Sequence, residues 1–303
     1  MIMGLNPVVW ERARAARILG AVTFHFSVDR LGFLAAVLRS LSEFPVADMG
    51  VVIVTNTFRQ EDLALLRRLC AEILSDKSFS IRSYGNLPHS FDLTWCHKAI
   101  ISEEFAEGNH GRYTHFMYLE DDIQLGFTNF CYFVAYREAL RSFGLLPSFV
   151  RVEYSAALGG FVASDAFWPV YVPVQSHTRL GDTVLVNMPN PYNPCFILDV
   201  ELAEEYVRSR SFDHEGSRAV CSWGVRERAA MGLCLENVPP PFATRYVVPV
   251  SRQTGAAAGF CWISHLPNNY ADDPRSPLGG VRMDELFVGL QDAPNLWPRS
   301  KAD

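Results

Sequence analysis

The hydrophobic positions along the chain switch between two periods, and the switching predicts alternating strands and helices. Ala21 to Ser27 is rich in β-branched and aromatic residues, the composition of a strand. Leu31, Leu34, Leu38 and Leu41 then recur every three or four positions, the spacing of one buried helix face. The run Val51 to Thr55 is continuously apolar, as in a strand buried on both sides, and Leu63, Leu66, Leu69 and Ile73 mark a second helix. Phe79 to Ser83 predicts a third strand, Asp92 to Phe105 a helix, His115 to Leu119 a fourth strand and Thr128 to Phe143 another helix. Such alternation calls for right-handed crossovers and a mostly parallel central sheet flanked by helices, an α/β fold class. In sheets of that kind ligands bind beyond the carboxyl ends of the strands.

The second half has a different texture. Phe149 to Tyr154, Val170 to Val174, Val184 to Met188 and Cys195 to Leu198 are short strand-like runs separated by Gly, Pro and Asn clusters. Val200 to Ser209 and Ser222 to Leu233 have helical spacing, and the polar stretch Leu266 to Gly280 predicts a long loop of the kind that serves as a lid or binding segment. No linker-like segment divides the chain, so the expectation is one continuous domain.

Composition narrows the function. With 303 residues, 49% of them apolar, the chain can fill a sizeable core. A net charge of -6 with scattered Lys and Arg argues against nucleic acid as a partner, because phosphate-backbone binding needs a clustered basic face. The seven cysteines are widely spaced and form no CxxC pair, which predicts reduced thiols rather than a disulfide framework or a structural zinc, as in a cytoplasmic protein. Residues 1 to 20 carry Glu11, Arg12, Arg14 and Arg17 without an apolar stretch, so neither a signal peptide nor a membrane span is expected. The three arginines leave peripheral association with anionic lipid open.

The sharpest chemical signal is Tyr118-Leu119-Glu120-Asp121-Asp122-Ile123, three consecutive carboxylates directly after an apolar strand. Adjacent negative charges repel, and a cation nearby would relieve them. Oxygen ligands suit a hard ion, Mn²⁺ or Mg²⁺, bridging carboxylates to substrate phosphates. If strand geometry persists through the triplet, Glu120 and Asp122 point to one side and Asp121 to the other. The first strand ends in Phe26-Ser27-Val28-Asp29 with no GxGxxG, and no GxxxxGK[ST] occurs, which weakens dinucleotide-binding and P-loop readings.

The segment Leu93-Thr94-Trp95-Cys96-His97-Lys98, followed by Tyr113 to Ile123, resembles the donor-site half of the GT-A glycosyltransferases, where a DxD-like triplet ends the fourth strand and holds a metal-diphosphate. The resemblance covers roughly Ala21 to Tyr154. It implies a GT-A (nucleotide-diphospho-sugar transferase) fold, with a Rossmann-like donor-binding half over 1–155 and an acceptor-binding half over 156–303. It implies that Asp122 ligates the metal and that Glu120 and Asp121 lie near the ribose or donor sugar. By the same resemblance Thr23, His25, Ser27 and Arg30, at the end of the first strand, and Asn56, at the end of the second, receive the nucleotide, while Lys98 approaches phosphate or sugar. His265, between an apolar run and the polar loop, resembles the late histidine that many members supply to the metal, and Asn269 and Tyr270 would close over the diphosphate.

The expected activity is therefore metal-dependent transfer of a sugar from a nucleotide sugar, a UDP-sugar first, to a glycan or lipid-linked acceptor. Acid-base work needs a carboxylate apart from the metal set: Glu227, at the opening of a predicted helix, is the candidate, with Asp213 and Glu215 as alternatives. The ED pair that many inverting members carry before their catalytic helix is absent. Two other readings stay open: a metal-dependent nucleotidyltransferase or phosphohydrolase, and a non-catalytic carbohydrate-binding protein.

Overall fold

A computed structural model describes residues 6–105 and 111–290. The protein is a mixed α/β molecule whose described residues divide into two compact units interleaved along the chain: Pro7–Cys131 with Tyr192–Glu236, and Tyr132–Pro191 with 237–290.

The first unit runs α1 (Pro7–Arg14), β1 (Arg17–Phe24), α2 (Leu31–Ser42), β2 (Asp48–Thr55), α3 (Gln60–Ile73), β3 (Ser78–Ser83), α4 (His97–Glu104) and β4 (His115–Glu120). The strands β4, β1, β2 and β3 lie side by side in that order, all parallel, and a fifth strand, Cys195–Asp199, adds antiparallel to β4 at the edge. In the register Thr23 stands beside Glu120 and Phe24 beside Thr55, so β1, β2 and β4 end together. The helices form where the spacing places them: Leu34, Leu38 and Leu41 of α2 and Leu63, Leu66 and Cys70 of α3 are buried. Each fully buried leucine contributes roughly 1.5–3 kcal/mol against its exposed state. At the opposite end of the sheet, a Cβ on Gly50 would stand 2.5 Å from the Tyr113 hydroxyl oxygen, so the close approach of that ring requires glycine.

Two expected boundaries move for identifiable reasons. The first strand stops at Phe24 rather than Ser27, because the Phe26 amide donates to Asn56 Oδ1 (2.8 Å) and leaves the ladder. The helix expected over Asp92 to Phe105 breaks into a 3₁₀ turn, Ser90–Trp95, and α4. A reciprocal cap at the start of that turn accounts for its position: the Phe91 amide donates to His89 Nδ1, and the His89 amide donates to Asp92 Oδ2. His97, at the start of α4, is a core residue, enclosed by Tyr118, Phe196 and Tyr206, and burial holds its pKa well below the usual imidazole range.

In the second unit one sheet orders His177–Leu180, Thr183–Asn187, Tyr246–Ser251 and Leu146–Pro147, and another places Val281–Arg282, Gly160–Ala163, Val150–Ser155 and Trp262–His265 side by side. The strand Tyr246–Ser251 is absent from the sequence expectations, and it carries Pro249, a residue that cannot donate to a ladder. It is tolerated because the parallel partner Leu146–Pro147 reaches only Tyr246 and Val247, leaving Pro249 past the end of that ladder. All seven cysteines are free thiols. Among the described residues no helix is long and apolar enough to cross a membrane.

Candidate active site

At the carboxyl ends of β1 and β4 the first unit holds a cleft of about 260 Å³, lined by Thr23, His25, Arg30 and the Glu120-Asp121-Asp122 triplet, among others. The triplet does not continue the strand. Glu120 closes β4, and Asp121 and Asp122 form the turn after it, anchored by the Asp121 amide donating to the Thr23 carbonyl (3.1 Å). The expected alternation is therefore corrected: both aspartates face the same group, the Arg30 guanidinium. Nε and Nη2 of Arg30 donate to the two Asp121 oxygens at 2.8 and 2.9 Å, and Nη2 also donates to Asp122 Oδ2 at 2.8 Å. A planar fork suits this two-toothed grip, which an ammonium would not reproduce.

Arg30 is thus the cation that relieves the crowded carboxylates within the protein itself. Burial nevertheless pushes the Asp121 pKa up to about 6; the Arg30 hydrogen bonds act against that shift and the Asp122 charge adds to it. For Arg30, burial works to lower the pKa, but the hydrogen bonds and charges of Asp121 and Asp122 outweigh it and raise it.

His25 and Asn56, which follow β1 and β2, meet in this unit. Asn56 Oδ1 accepts from the Phe26 amide, so its Nδ2 donates to His25 Nε2 (3.1 Å), which places the imidazole proton on Nδ1. The sequence reading missed the other wall of the cleft, which includes Ser90, Phe91, Thr94 and Arg226. Trp95 Nε1 donates to the Val225 carbonyl (2.9 Å), tying the helix Val225–Ala230 to the Ser90–Trp95 turn and setting the Arg226 guanidinium over the Phe91 ring. No short-range pattern reveals that contact, which joins positions 130 residues apart.

Lys98, expected near phosphate or sugar, is placed elsewhere. It is 5% exposed; Nζ donates to the Ser211 carbonyl at 2.5 Å and lies 3.5 Å from the centre of the Trp95 ring, with Tyr206 and Phe212 farther out. Burial pulls its pKa down to about 6, against the charge of Asp213 and with that of Arg228. Of the proposed bases, Glu227 folds its carboxylate back against Gly224, 3.5 Å from Arg226 Nη2, where any Cβ on Gly224 would collide with it. Asp213 is exposed and caps a turn, accepting from the Gly216 amide, while Glu215 pairs with Arg218 and His214. It is Arg226 rather than any of these three that lines the cleft.

His265 belongs to the second unit, where Nδ1 meets Glu153 Oε1 and the ring stacks on Tyr270. The loop Leu266 to Gly280 is stapled down rather than left as a lid. Asn268 exchanges two hydrogen bonds with the Tyr154 backbone, the amides of Tyr270 and Ala271 donate to Glu153 Oε2, and Asp272 accepts from Ser155 Oγ and the Ala156 amide. Asn269 is exposed beside these anchors. Among the described residues no group of three or more His, Cys, Asp and Glu side chains forms a metal cluster. The triplet still fits a divalent ion of the hard class, since Mg²⁺ and Mn²⁺ take one or two carboxylates together with substrate phosphates and water.

No protein-family model matches the sequence, and no curated protein matches it. Among solved structures the chain is similar to a mannosyltransferase from Pyrobaculum calidifontis in complex with GDP-Man and Mn²⁺, at 12% sequence identity and a TM-score of 0.41. The likeness covers 83% of this chain and 57% of that one.

Proposed function

We propose that the protein is a glycosyltransferase of the GT-A type that takes its donor as a nucleotide sugar, UDP-linked in the first instance, and uses Mn²⁺ or Mg²⁺. The observation that carries this reading is the Asp121-Asp122 turn at the carboxyl end of β4, which lines an open cleft and is gripped from one side by Arg30. Glycosyl transfer to a hydroxyl is difficult because a nucleoside diphosphate must depart with its charge compensated. A bound divalent ion supplies that compensation by polarising the phosphoryl oxygens.

The residues divide the remaining work. Asp122 holds the ion, and Glu120 and Asp121 face ribose or sugar hydroxyls as acceptors. Thr23, His25, Ser27 and Asn56 receive the nucleoside at the ends of β1 and β2. Arg226 adds a cation on the opposite wall, where a leaving diphosphate gains from it. Glu227, the next residue, takes the proton from an acceptor hydroxyl of a glycan or lipid-linked sugar. That role requires its carboxylate to leave Gly224 and Arg226 when the acceptor binds.

The reaction itself is the test. Purified protein incubated with Mn²⁺, a panel of nucleotide sugars and glycan acceptors should release free nucleoside diphosphate and a lengthened glycan. Pyrophosphate release would instead indicate a nucleotidyltransferase, and phosphate release a phosphohydrolase. Glu227→Gln is expected to lower kcat by roughly 10² or more with donor affinity unchanged. Turnover near that of the wild type would remove Glu227 from the mechanism.

A further inference from the structure

Arg30 closes the short turn Val28–Arg30 between β1 and α2, and its guanidinium reaches a turn 91 residues later. Three of its N–H groups, of the five a guanidinium carries, are engaged there. Both oxygens of Asp121 are taken, Oδ2 by Nε at 2.8 Å and Oδ1 by Nη2 at 2.9 Å, whereas Asp122 receives a single bond, from Nη2 to Oδ2 at 2.8 Å. The grip is therefore lopsided. Exposure is unequal too: 34% of the Arg30 side chain is accessible, against 6% for Asp121 and 12% for Asp122. The arginine is the partner with room to move, and its single bond to Asp122 is the one that yields first.

A divalent ion coming to Asp122 by itself meets a carboxylate that already holds a cation. Two like charges at one carboxylate repel, and the repulsion is strong in a partly buried place. A diphosphate changes that balance. Its negative charge compensates ion and guanidinium together, and its oxygens are acceptors of the kind that an arginine fork matches. Nη2 can then leave Asp122 without losing an anionic partner.

We propose that Arg30 is a positioning residue that occupies the cation place beside Asp122 until a diphosphate arrives and then turns its Nη2 edge to the phosphate oxygens, so that the divalent ion binds well only together with the diphosphate. This role rests on the functional reading above. Asp121, held by two nitrogens, keeps the base of the guanidinium in place while the Asp122 bond is exchanged. A charge-assisted hydrogen bond that an ion must displace without replacement corresponds to roughly 10- to 100-fold in affinity.

The experiment separates the metal from the nucleotide. Mn²⁺ alone, titrated into the full chain and followed by electron paramagnetic resonance of the free ion, should bind Arg30→Met roughly 10- to 100-fold more tightly than the wild type. Nucleoside diphosphate at saturating Mn²⁺, with UDP, CDP, ADP and GDP taken in turn, should move the other way, with the wild type binding more tightly than Arg30→Met by a similar factor. Arg30→Lys keeps the charge without the fork and should lie between the two in both titrations. Thermal unfolding gives a readout apart from turnover: Mn²⁺ alone should raise the Tm of Arg30→Met by several degrees and leave that of the wild type almost unmoved.

Equal Mn²⁺ affinity in the wild type and Arg30→Met overturns the proposal, whatever the nucleotides do. Tighter Mn²⁺ binding with undiminished nucleotide affinity in Arg30→Met overturns the transfer of Arg30 to phosphate. A protein that binds none of the diphosphates with Mn²⁺, while Arg30→Met still gains affinity for Mn²⁺ alone, overturns the donor reading and leaves Arg30 as the competitor of the ion. If Arg30→Met fails to fold because Asp121 is left buried and charged, the same Mn²⁺ titration compares Asp121→Asn with the double variant that adds Arg30→Met, where that charge is gone. Equal Mn²⁺ affinity in that pair overturns the proposal as well.

Discussion

Lys98→Met is expected to raise the stability of the protein at neutral pH and to remove a pH dependence that the wild type carries. In the folded chain the Lys98 amine, buried between Trp95, Tyr206 and Phe212, titrates near 6 rather than at the ordinary 10.5. Between those two values the unfolded chain binds a proton that the folded chain does not, so stability rises with pH across the window from about 6 to 10.5. Below about 6 both states are protonated and the full penalty is present. At pH 7 the linkage amounts to about 5 kcal/mol, using about 1.4 kcal/mol per pKa unit. Methionine removes that penalty but leaves the Ser211 carbonyl without its donor, which costs about 1–3 kcal/mol. The net gain should be a few kcal/mol, on the order of 3. Urea denaturation of both proteins at pH 6, 7.5 and 9 measures it: the wild type should gain stability across the series and the variant should show a flatter response. A less stable variant with the same slope would mean that Lys98 is charged in the folded state and held by the Trp95 face and Asp213.

The second large effect concerns Asp122→Asn. Arg30 grips Asp121 with two hydrogen bonds and Asp122 with one, so the variant retains the stronger half of the clamp and should unfold within about 1 kcal/mol of the wild type. Loss of an anionic ligand from a hard cation is a different matter, and Mn²⁺-dependent affinity for UDP should fall by roughly 10² or more. Isothermal titration with and without Mn²⁺ gives both limbs. Unchanged affinity in the presence of metal, accompanied by a loss of several kcal/mol in stability, would identify the triplet as a structural charge cluster.

These effects show what a sequence discloses and what it conceals. The parallel sheet was legible because its helices repeat leucine at helical spacing and its strands are apolar throughout; each of those patterns is set within a dozen residues. The site was legible only in part. Glu120, Asp121 and Asp122 announce themselves by being adjacent, and His25 and Asn56 by ending neighbouring strands, which the β1–β2 register brings together. The partner of the aspartates was visible only as a residue at the end of β1, since nothing local says that Arg30 will cross to a turn 91 positions later. Arg226 and Phe91 were missed for the same reason, their meeting being fixed by one Trp95 hydrogen bond across 130 positions. Lys98 illustrates the opposite error. Its place on a helix before β4 suggested a cation near phosphate or sugar, and only tertiary packing puts three aromatic rings and a carbonyl around it. The loop after His265 read as a lid or binding segment because it is long and polar, yet its Asn268 and Asp272 side chains are the pins that hold it to Tyr154, Ser155 and Ala156.

The central claim is that the cleft beside the Asp121-Asp122 turn binds the diphosphate of a nucleotide sugar through a divalent ion. Thermal unfolding of the wild type with nucleoside diphosphates and their sugar conjugates, in Mn²⁺ and in chelator, tests it directly. A ligand at 100 times its Kd adds about 2.7 kcal/mol to the folded state, enough to raise the Tm by several degrees. The account predicts that rise for at least one nucleoside diphosphate only when Mn²⁺ is present, and no comparable rise for Mn²⁺ alone or for the free sugar. A Tm that moves with sugar but is indifferent to nucleotide and metal, or that does not respond to any member of the panel, contradicts it.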